Sequence, residues 1–226
     1  MLESRSTPYR VMEVANGGAI DGKVTLSGAM PAELALDAAA SACGTGAGDA
    51  RSVEAQDGAL ANVVVWISDV RAGRALPVEK RYEMTSDRCV IAPRIQVASS
   101  GGTVNLRHRD AAEHHYQLVR SGSPAVLSSI MFMAAGQVVP MSAATKSPGL
   151  VEIRCADHPW EHAWIATFDH PYYSVSGAGG SFHLEGIPPG TYHLRAWHER
   201  AVSPVDAVVT VVSGKTANVS IAVALK

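Results

Sequence analysis

The feature that most limits the fold is a succession of short apolar runs separated by glycine- and proline-rich turns, with no long helical periodicity. In residues 17–28, apolar or small residues at every second position alternate with polar neighbours, and glycines stand at both ends. Residues 60–67 form a continuous, β-branched apolar run of the length expected for a buried strand. This pattern predicts an all-β chain of the sandwich type.

The last fifty residues repeat the same pattern. Phe182 and Leu184 alternate in one predicted strand, Leu194 lies in the next, and residues 188–190 (Pro-Pro-Gly) form the turn between them. Residues 205–212 and 217–223 are then predicted to form a β-hairpin around Gly214.

The middle of the chain gives weaker signals. Residues 29–42 are alanine-rich and can form a helix. Residues 73–87 are predicted to be a connection between strands. Residues 121–147 have no regular pattern, and their methionines either pack in the core or cover a site. Short strands are predicted at 95–97, 103–108, 116–119, 150–154 and 163–168.

Composition excludes some functions. The chain has 226 residues, a formal charge of −2 and a pI near 6.5, which argues against nucleic acid as a partner. No run of some eighteen apolar residues is present, so we expect no membrane span. The N-terminal residues lack the apolar core of a secretory signal, so the protein is either cytosolic or a form from which a leader has been removed.

The residues best suited to chemistry lie in two short segments. One runs from Cys155 through His158 and Glu161 to His162, directly after a predicted strand, and the other contains His114 and His115. A thiolate and imidazoles suit copper or zinc rather than magnesium or calcium, which prefer oxygen ligands. Two imidazoles and one thiolate are the equatorial set of a blue-copper site, although several histidines together also satisfy zinc.

Three cysteines allow one disulfide and one free thiol. A bond between Cys43 and Cys89 would leave Cys155 available to a metal and would favour an oxidising compartment. The alternative is three reduced, buried cysteines. We favour the disulfide.

Residues 180–194, which contain the Pro-Pro-Gly-Thr-Tyr segment, resemble the carboxypeptidase regulatory-like domain, a transthyretin-like β-sandwich. The Gly-x-Val-x-Leu-x-Gly strand that opens that family matches residues 22–28, and its next, valine-rich strand can be supplied by residues 60–67. More than a hundred residues separate this second strand from the hairpin that contains Phe182, too many for a loop. The resemblance therefore implies residues 1–16 as an N-terminal arm, 17–78 plus 171–226 as a regulatory-like sandwich, and 79–170 as an inserted second domain.

The segment Cys155-x-x-His158-Pro159-Trp160, with the Asp110-x-x-x-His114 step, resembles plastocyanin-like cupredoxins of the methylamine-utilisation-like group. This resemblance implies a cupredoxin-like Greek-key sandwich, inserted in or packed on the regulatory-like one. It also implies copper held by His114, Cys155 and His158. Glu161 stands where that family has its axial methionine, either as a hard oxygen donor that lowers the reduction potential or pointing away from a three-coordinate metal.

The implied function is transfer of single electrons, in the periplasm or outside the cell, to a redox partner such as a cytochrome or a larger membrane-associated complex. Glu161 keeps an alternative open, namely a metal-free interaction or scaffold subunit of a larger assembly. His115 and His162 are expected to be outside the ligand set, although either could replace a missing donor. The sequence shows no Ser-His-Asp order, phosphate loop or paired-carboxylate pattern, so we expect no enzyme. An enzyme acting at an open copper position is the least supported alternative.

Overall fold

The structure is a computed structural model that describes residues 8–32, 43 and 52–226. These residues form twenty strands and one helix of four residues, which confirms the all-β class. Along the chain they are β1 Arg10–Val11, β2 Gly18–Ser27, β3 Ala55–Gln56, β4 Ala59–Leu60, β5 Val64–Ile67, β6 Ala72–Gly73, β7 Arg81–Asp87, β8 Val90–Ala92, β9 Ile95–Ser99, β10 Thr103–His108, β11 His114–Arg120, β12 Val126–Phe132, β13 Val138–Pro140, α1 Ser142–Thr145, β14 Gly149–Cys155, β15 His162–Phe168, β16 Tyr173–Val175, β17 Ser181–Ile187, β18 Gly190–Trp197, β19 Val205–Val211 and β20 Thr216–Ala224.

The chain divides into two compact units. Unit 1 comprises Pro77–Asp169 together with Cys43, and unit 2 comprises residues 8–32, Ser52–Leu76 and His170–Lys226. The strands of unit 2 therefore precede and follow those of unit 1 in the sequence. No helix in the described part of the chain is long and apolar enough to cross a membrane.

Unit 1 is a sandwich of two sheets. One sheet has the strand order β13-β10-β7-β8 and the other β12-β11-β14-β15-β9. Alternate residues of these strands face the space between the sheets, where Leu106, Leu118, Ile153 and Ile165 are fully buried. This alternation decides which side chains of β11 and β14 face inwards, and hence what the candidate site contains.

Unit 2 is also a two-sheet sandwich, with the orders β16-β5-β18-β19 and β17-β2-β4-β3, and β20 pairs with β2 in parallel. Its core is formed largely by aliphatic side chains such as Ile20, Val65, Leu194 and Val223.

Two connections that are predicted as local turns, and the connection between β9 and β10, join strands that belong to different sheets. Strands β19 and β20 do not form the predicted hairpin, because β19 pairs with β18, whereas β20 pairs with β2. The Pro-Pro-Gly turn joins β17, which pairs with β2, to β18, which pairs with β5 and β19. Likewise β9 pairs with β15 and β10 with β7. Turn residues specify a reversal of direction, but the strand that receives the hydrogen bonds is chosen by packing.

Other predictions need correction. The segment 73–87, predicted to be a connection, contains strand β7. Tyr82, Met84 and Ser86 lie on the more buried side of this strand, and because Ser86 is polar the side does not show an apolar alternation. The run 60–67 is not one strand, because Asn62 (φ 57°) separates β4 from β5. The irregular stretch 121–147 holds β12, β13 and α1, with Met141 buried. The helix suggested for 29–42 lies mostly outside the described residues.

Candidate metal centre

Three polar side chains meet where strand β11 pairs with strand β14, because alternate residues of a strand face the same side. His114 and Tyr116 are two residues apart on β11 and therefore face the same side, and Cys155 at the end of β14 lies directly opposite Tyr116. All three are buried in the side of unit 1 that faces the core. Any chemistry at this point is therefore shielded from bulk solvent.

The turn between β14 and β15 adds His158 and Glu161. The Glu161 N–H donates to the His158 carbonyl (2.9 Å) and the Cys155 N–H donates to the Glu161 carbonyl (3.0 Å). These bonds fold the segment back over the end of β14. As a result His158 and Glu161 are buried next to His114, with 4% and 1% exposure.

The sulfur of Cys155 lies close to one nitrogen of each histidine. Its Sγ is 3.7 Å from Nδ1 of His114 and 3.6 Å from Nδ1 of His158. Nitrogen and sulfur ligands at about 2.0–2.3 Å from one tetrahedral cation are separated by roughly 3.3–3.6 Å. The sulfur of Cys155 is thus at a ligand-like distance from each imidazole, although it is not part of the buried group of mutually close donors formed by Cys89, His114, His158 and Glu161.

Glu161 points into this cluster. Its Oε1 is 2.6 Å from the Tyr116 hydroxyl and 2.8 Å from the Ser86 hydroxyl. Its Oε2 is 2.7 Å from Nδ1 of His114 and 3.7 Å from Nδ1 of His158. One oxygen is thus anchored by hydroxyl donors while the other faces the imidazoles. The 2.7 Å contact has the length of a hydrogen bond, so a cation held by both atoms would have to displace the proton that they share.

The environment sets the protonation of the thiol and one imidazole. Burial, and then the charge of Glu161, raises the pKa of Cys155 to about 12, so the free thiol keeps its proton at neutral pH. Burial, followed by the neighbouring His114, lowers the pKa of His158 and leaves a neutral imidazole with a lone pair to donate. The same two causes, burial and Glu161, raise the pKa of Tyr116, which stays a neutral hydrogen-bond donor.

Asp110 supports the site from the opposite side of His114. Its Oδ2 lies 3.6 Å from Nε2 of His114, and its carboxylate accepts the N–H groups of Arg88 and Cys89. Those two residues form the two-residue loop between β7 and β8, with φ of 52° and 53°. Such a loop usually contains asparagine or glycine, and Asp110 compensates by satisfying both amides.

The structure pairs Cys43 with Cys89, as favoured from the sequence, and among the described cysteines Cys155 is free. The sulfur of Cys89 lies 3.8 Å from Nε2 of His114 and belongs to a buried group with His114, His158 and Glu161. Because a disulfide sulfur has no thiolate to offer, Cys155 is the described cysteine whose sulfur remains available as a donor when the disulfide is formed.

His115 and His162 lie outside this cluster. His115 points to the other face of β11, where its side chain is 45% exposed and its Nδ1 is 2.8 Å from Asp157. His162 is half-buried at the start of β15 beside Arg94. Sequence reasoning overlooked Tyr116 and Ser86. The signal for Tyr116 was its position two residues after His114 in a predicted strand, whereas Ser86 lay in a segment taken as a connection.

Comparisons with known proteins find solved structures that resemble part of this chain. No family model matches the sequence, and no curated protein matches it significantly. A purple cupredoxin from Nitrosopumilus maritimus matches at 14% identity over 38% of this chain and 99% of its own, with a TM-score of 0.33. A reduced amicyanin variant matches at 17% identity over 46% and 98%, with a TM-score of 0.35.

A copper-containing nitrite reductase from Thermus scotoductus SA-01 also matches, at 16% identity over 46% of this chain and 24% of its own, with a TM-score of 0.34. At these values the likeness says nothing about what this chain binds.

Proposed function

We propose that unit 1 binds one copper ion through Nδ1 of His114, Nδ1 of His158 and Sγ of Cys155, with Oε2 of Glu161 as the fourth donor. The observation that supports this proposal is the position of one sulfur within 3.7 Å of two imidazole nitrogens in a buried pocket. Copper accepts this mixture of soft sulfur and imidazole ligands, and the anchored carboxylate adds a hard donor that favours the cupric state.

The proposed activity is transfer of single electrons. Copper would supply the redox change, and the chain would hold the ligands in place. His114 and Cys155 lie on paired strands, and Glu161 is fixed by Tyr116 and Ser86, so the ligand positions can change little between oxidation states. A rigid ligand set suits an electron carrier rather than an enzyme that must open a position to substrate.

The proposal includes a redox partner such as a cytochrome or a larger membrane-associated complex, and a periplasmic or extracellular location. The Cys43–Cys89 disulfide supports the location, because such bonds persist in oxidising compartments. We also infer that unit 2 is a carboxypeptidase regulatory-like sandwich, on the basis of the Pro-Pro-Gly-Thr-Tyr segment and the opening strand.

Copper titration tests the copper site. The purified protein should take up one cupric ion per chain and develop an intense visible band from the thiolate-to-copper transition. Cys155→Ser should abolish this band, whereas His115→Ala, the matched control on the same strand, should retain it. A wild-type protein that binds no copper, or a band that persists in Cys155→Ser, would refute the copper site.

A second candidate is a metal-free scaffold subunit. It is favoured by the hydrogen bonds of Glu161 to Tyr116, Ser86 and His114, which satisfy the carboxylate without a cation. Metal analysis of the protein isolated from its source separates the two candidates, since the scaffold predicts no bound copper and the carrier predicts one equivalent.

A further inference from the structure

The methionines between β11 and β14 differ in exposure. Met141 is buried in the core of unit 1, whereas Met131 and Met133 are 54% and 51% exposed. Their neighbours Ile130 and Phe132 are buried, so the period of two along β12 and into the residue after it directs both thioethers outwards. These two sulfurs therefore do not fill the core, and solvent can reach them.

An imidazole lies beside these thioethers. Strand β11 pairs with β12 so that His115 is directly opposite Met131. The Cβ atoms of residues in this relation are about 4.5–5.5 Å apart, and a long side chain also reaches a diagonal neighbour, which for His115 is Met133. The side chain of His115 is itself 45% exposed. One imidazole and two thioethers thus share the outer face of the same strand pair.

The imidazole is held in one tautomer by Asp157. Oδ2 of Asp157 accepts the backbone N–H of His115 at 2.8 Å and lies 2.8 Å from its Nδ1. A carboxylate accepts a proton at that distance, so Nδ1 carries the hydrogen and Nε2 keeps the lone pair. Asp157 follows β14, and β12 flanks β11 on the side opposite to β14. A carboxylate that fixes the tautomer is the usual support of a metal-bound histidine.

We propose that Met131, Met133 and Nε2 of His115 form a surface binding site for Cu(I). Thioethers are soft donors that select Cu(I) over hard cations such as Mg²⁺ and Ca²⁺, and imidazole also accepts copper. All three donors are neutral, so Cu(I) binds without displacing a proton, and the carboxylate of Asp157 lies behind the imidazole to balance its charge. The site uses the face of β11 opposite to His114 and is separate from the buried ligands.

The purpose of this site rests on the proposed function, whereas its binding of Cu(I) does not. A buried metal centre needs an entry path for its ion. Asp157 lies in the loop that also carries Cys155 and His158, so Cu(I) held by His115 is one loop away from the buried ligands. Because thioethers prefer Cu(I), a cupric titration reports the buried centre, and its visible band depends on Cys155.

The first test removes the thiol that would compete for Cu(I). In a Cys155→Ser background with the Cys43–Cys89 disulfide intact, no free thiol remains in the chain. Anaerobic competition with the chelator bicinchoninate then gives the Cu(I) affinity of this protein and of further variants made in it.

The variants compare exposed methionines in the two units. Met131→Leu/Met133→Leu should bind Cu(I) about tenfold more weakly or worse, and His115→Ala should show a loss of the same order. The matched control is Met12→Leu/Met30→Leu, which changes two methionines of unit 2 that are 44% and 49% exposed and should leave the affinity unchanged. Equal affinities for the two double variants would overturn the inference.

A second measurement needs no substitution and covers the case in which Cys155→Ser does not fold. Wild-type protein labelled with carbon-13 at its methionine methyl groups is titrated with Ag⁺, a redox-inert substitute for Cu(I), beyond the equivalent that the thiol takes up. The signals of Met131 and Met133 should shift before those of Met12 and Met30. Signals that shift together, or not at all, contradict the site. Failure of the buried copper centre is seen separately, as a missing thiolate-to-copper band.

Discussion

The two sandwiches of this chain differ in what they bury. Unit 2 fills its core largely with aliphatic side chains, and Ile20 and Leu194 are fully enclosed. Unit 1 has a similar aliphatic core but also buries two carboxylic acids, Asp110 and Glu161, beside three histidines. The described residues of unit 2 include two buried histidines, His170 and His198, but no buried carboxylic acid.

Burying an ionised carboxylate costs several kcal/mol unless it is well hydrogen-bonded. In unit 1 hydrogen bonds to Glu161 from Tyr116 and Ser86, and to Asp110 from two backbone amides, offset this cost. This buried polar network is the reason that the proposed function is placed in unit 1.

Removing the disulfide is expected to give the largest difference in stability between the two units. Cys43 and Cys89 are 46 residues apart, and closing a loop of that length stabilises the folded state by about 4 kcal/mol in the chain-entropy model. Cys43→Ser/Cys89→Ser should lower the free energy of unfolding by that amount, with faster amide hydrogen exchange in unit 1. Equal acceleration in unit 2 would show that the disulfide does not act on unit 1 selectively.

A core truncation in each unit comes next. Leu194→Ala in unit 2 and Leu118→Ala in unit 1 each remove a fully buried side chain and should each cost about 3 kcal/mol in denaturant unfolding. Only Leu118 lies on the strand that carries His114. Copper titration should therefore show weaker binding for Leu118→Ala and unchanged binding for Leu194→Ala, and the reverse order would contradict the assignment of the site to unit 1.

Two tyrosine hydroxyls provide a sharper test. Tyr116 bonds to the buried Glu161 carboxylate at 2.6 Å, whereas Tyr192 in unit 2 bonds to the neutral Pro188 carbonyl at 2.8 Å. Hydrogen bonds to charged groups contribute more, so Tyr116→Phe should cost about 2 kcal/mol of unfolding free energy and Tyr192→Phe about 1 kcal/mol. Chemical denaturation of both variants measures the difference, and equal costs would contradict a stronger hydrogen bond at Tyr116 than at Tyr192.

Glu161 should also set the reduction potential. Replacing its carboxylate with a thioether in Glu161→Met removes a hard donor that favours cupric ion, so the potential should rise by about 60 mV or more, which is tenfold in the relative affinity for the two oxidation states. Spectroelectrochemical titration gives the value. A potential that stays the same or falls would show that Glu161 is not a ligand.

Counted per unit of pH, the smallest expected effect is the dependence of copper binding on pH. Since the pKa of Cys155 is raised to about 12, the thiol is protonated below that pH and must lose one proton when copper binds. Copper affinity should therefore fall about tenfold for each unit that the pH is lowered between about pH 9 and 7, or about 1.4 kcal/mol per unit. Competition titrations at several pH values give the slope, and Cys155→Ser should lose it. A flat profile in the wild type would argue against the thiolate as ligand.

Much of this molecule follows from local sequence. The alternation in residues 17–28 specifies β2, and the run of apolar residues before Cys155 specifies β14. The types of residue in the Cys155–His162 segment are by themselves enough to suggest a soft metal. These conclusions hold because strand periodicity and ligand chemistry depend only on neighbouring residues.

The tertiary structure alone decided which strands pair and what surrounds the cluster. Gly214 and Pro188 mark reversals of the chain, but packing sends the strands on either side to different sheets. Glu161 is anchored because Ser86 and Tyr116, 75 and 45 residues before it, meet its carboxylate. The sulfur of Cys89 lies beside His114 because Asp110 holds its loop. Such contacts depend on how distant strands pack, and the types of residue in any one segment do not encode them.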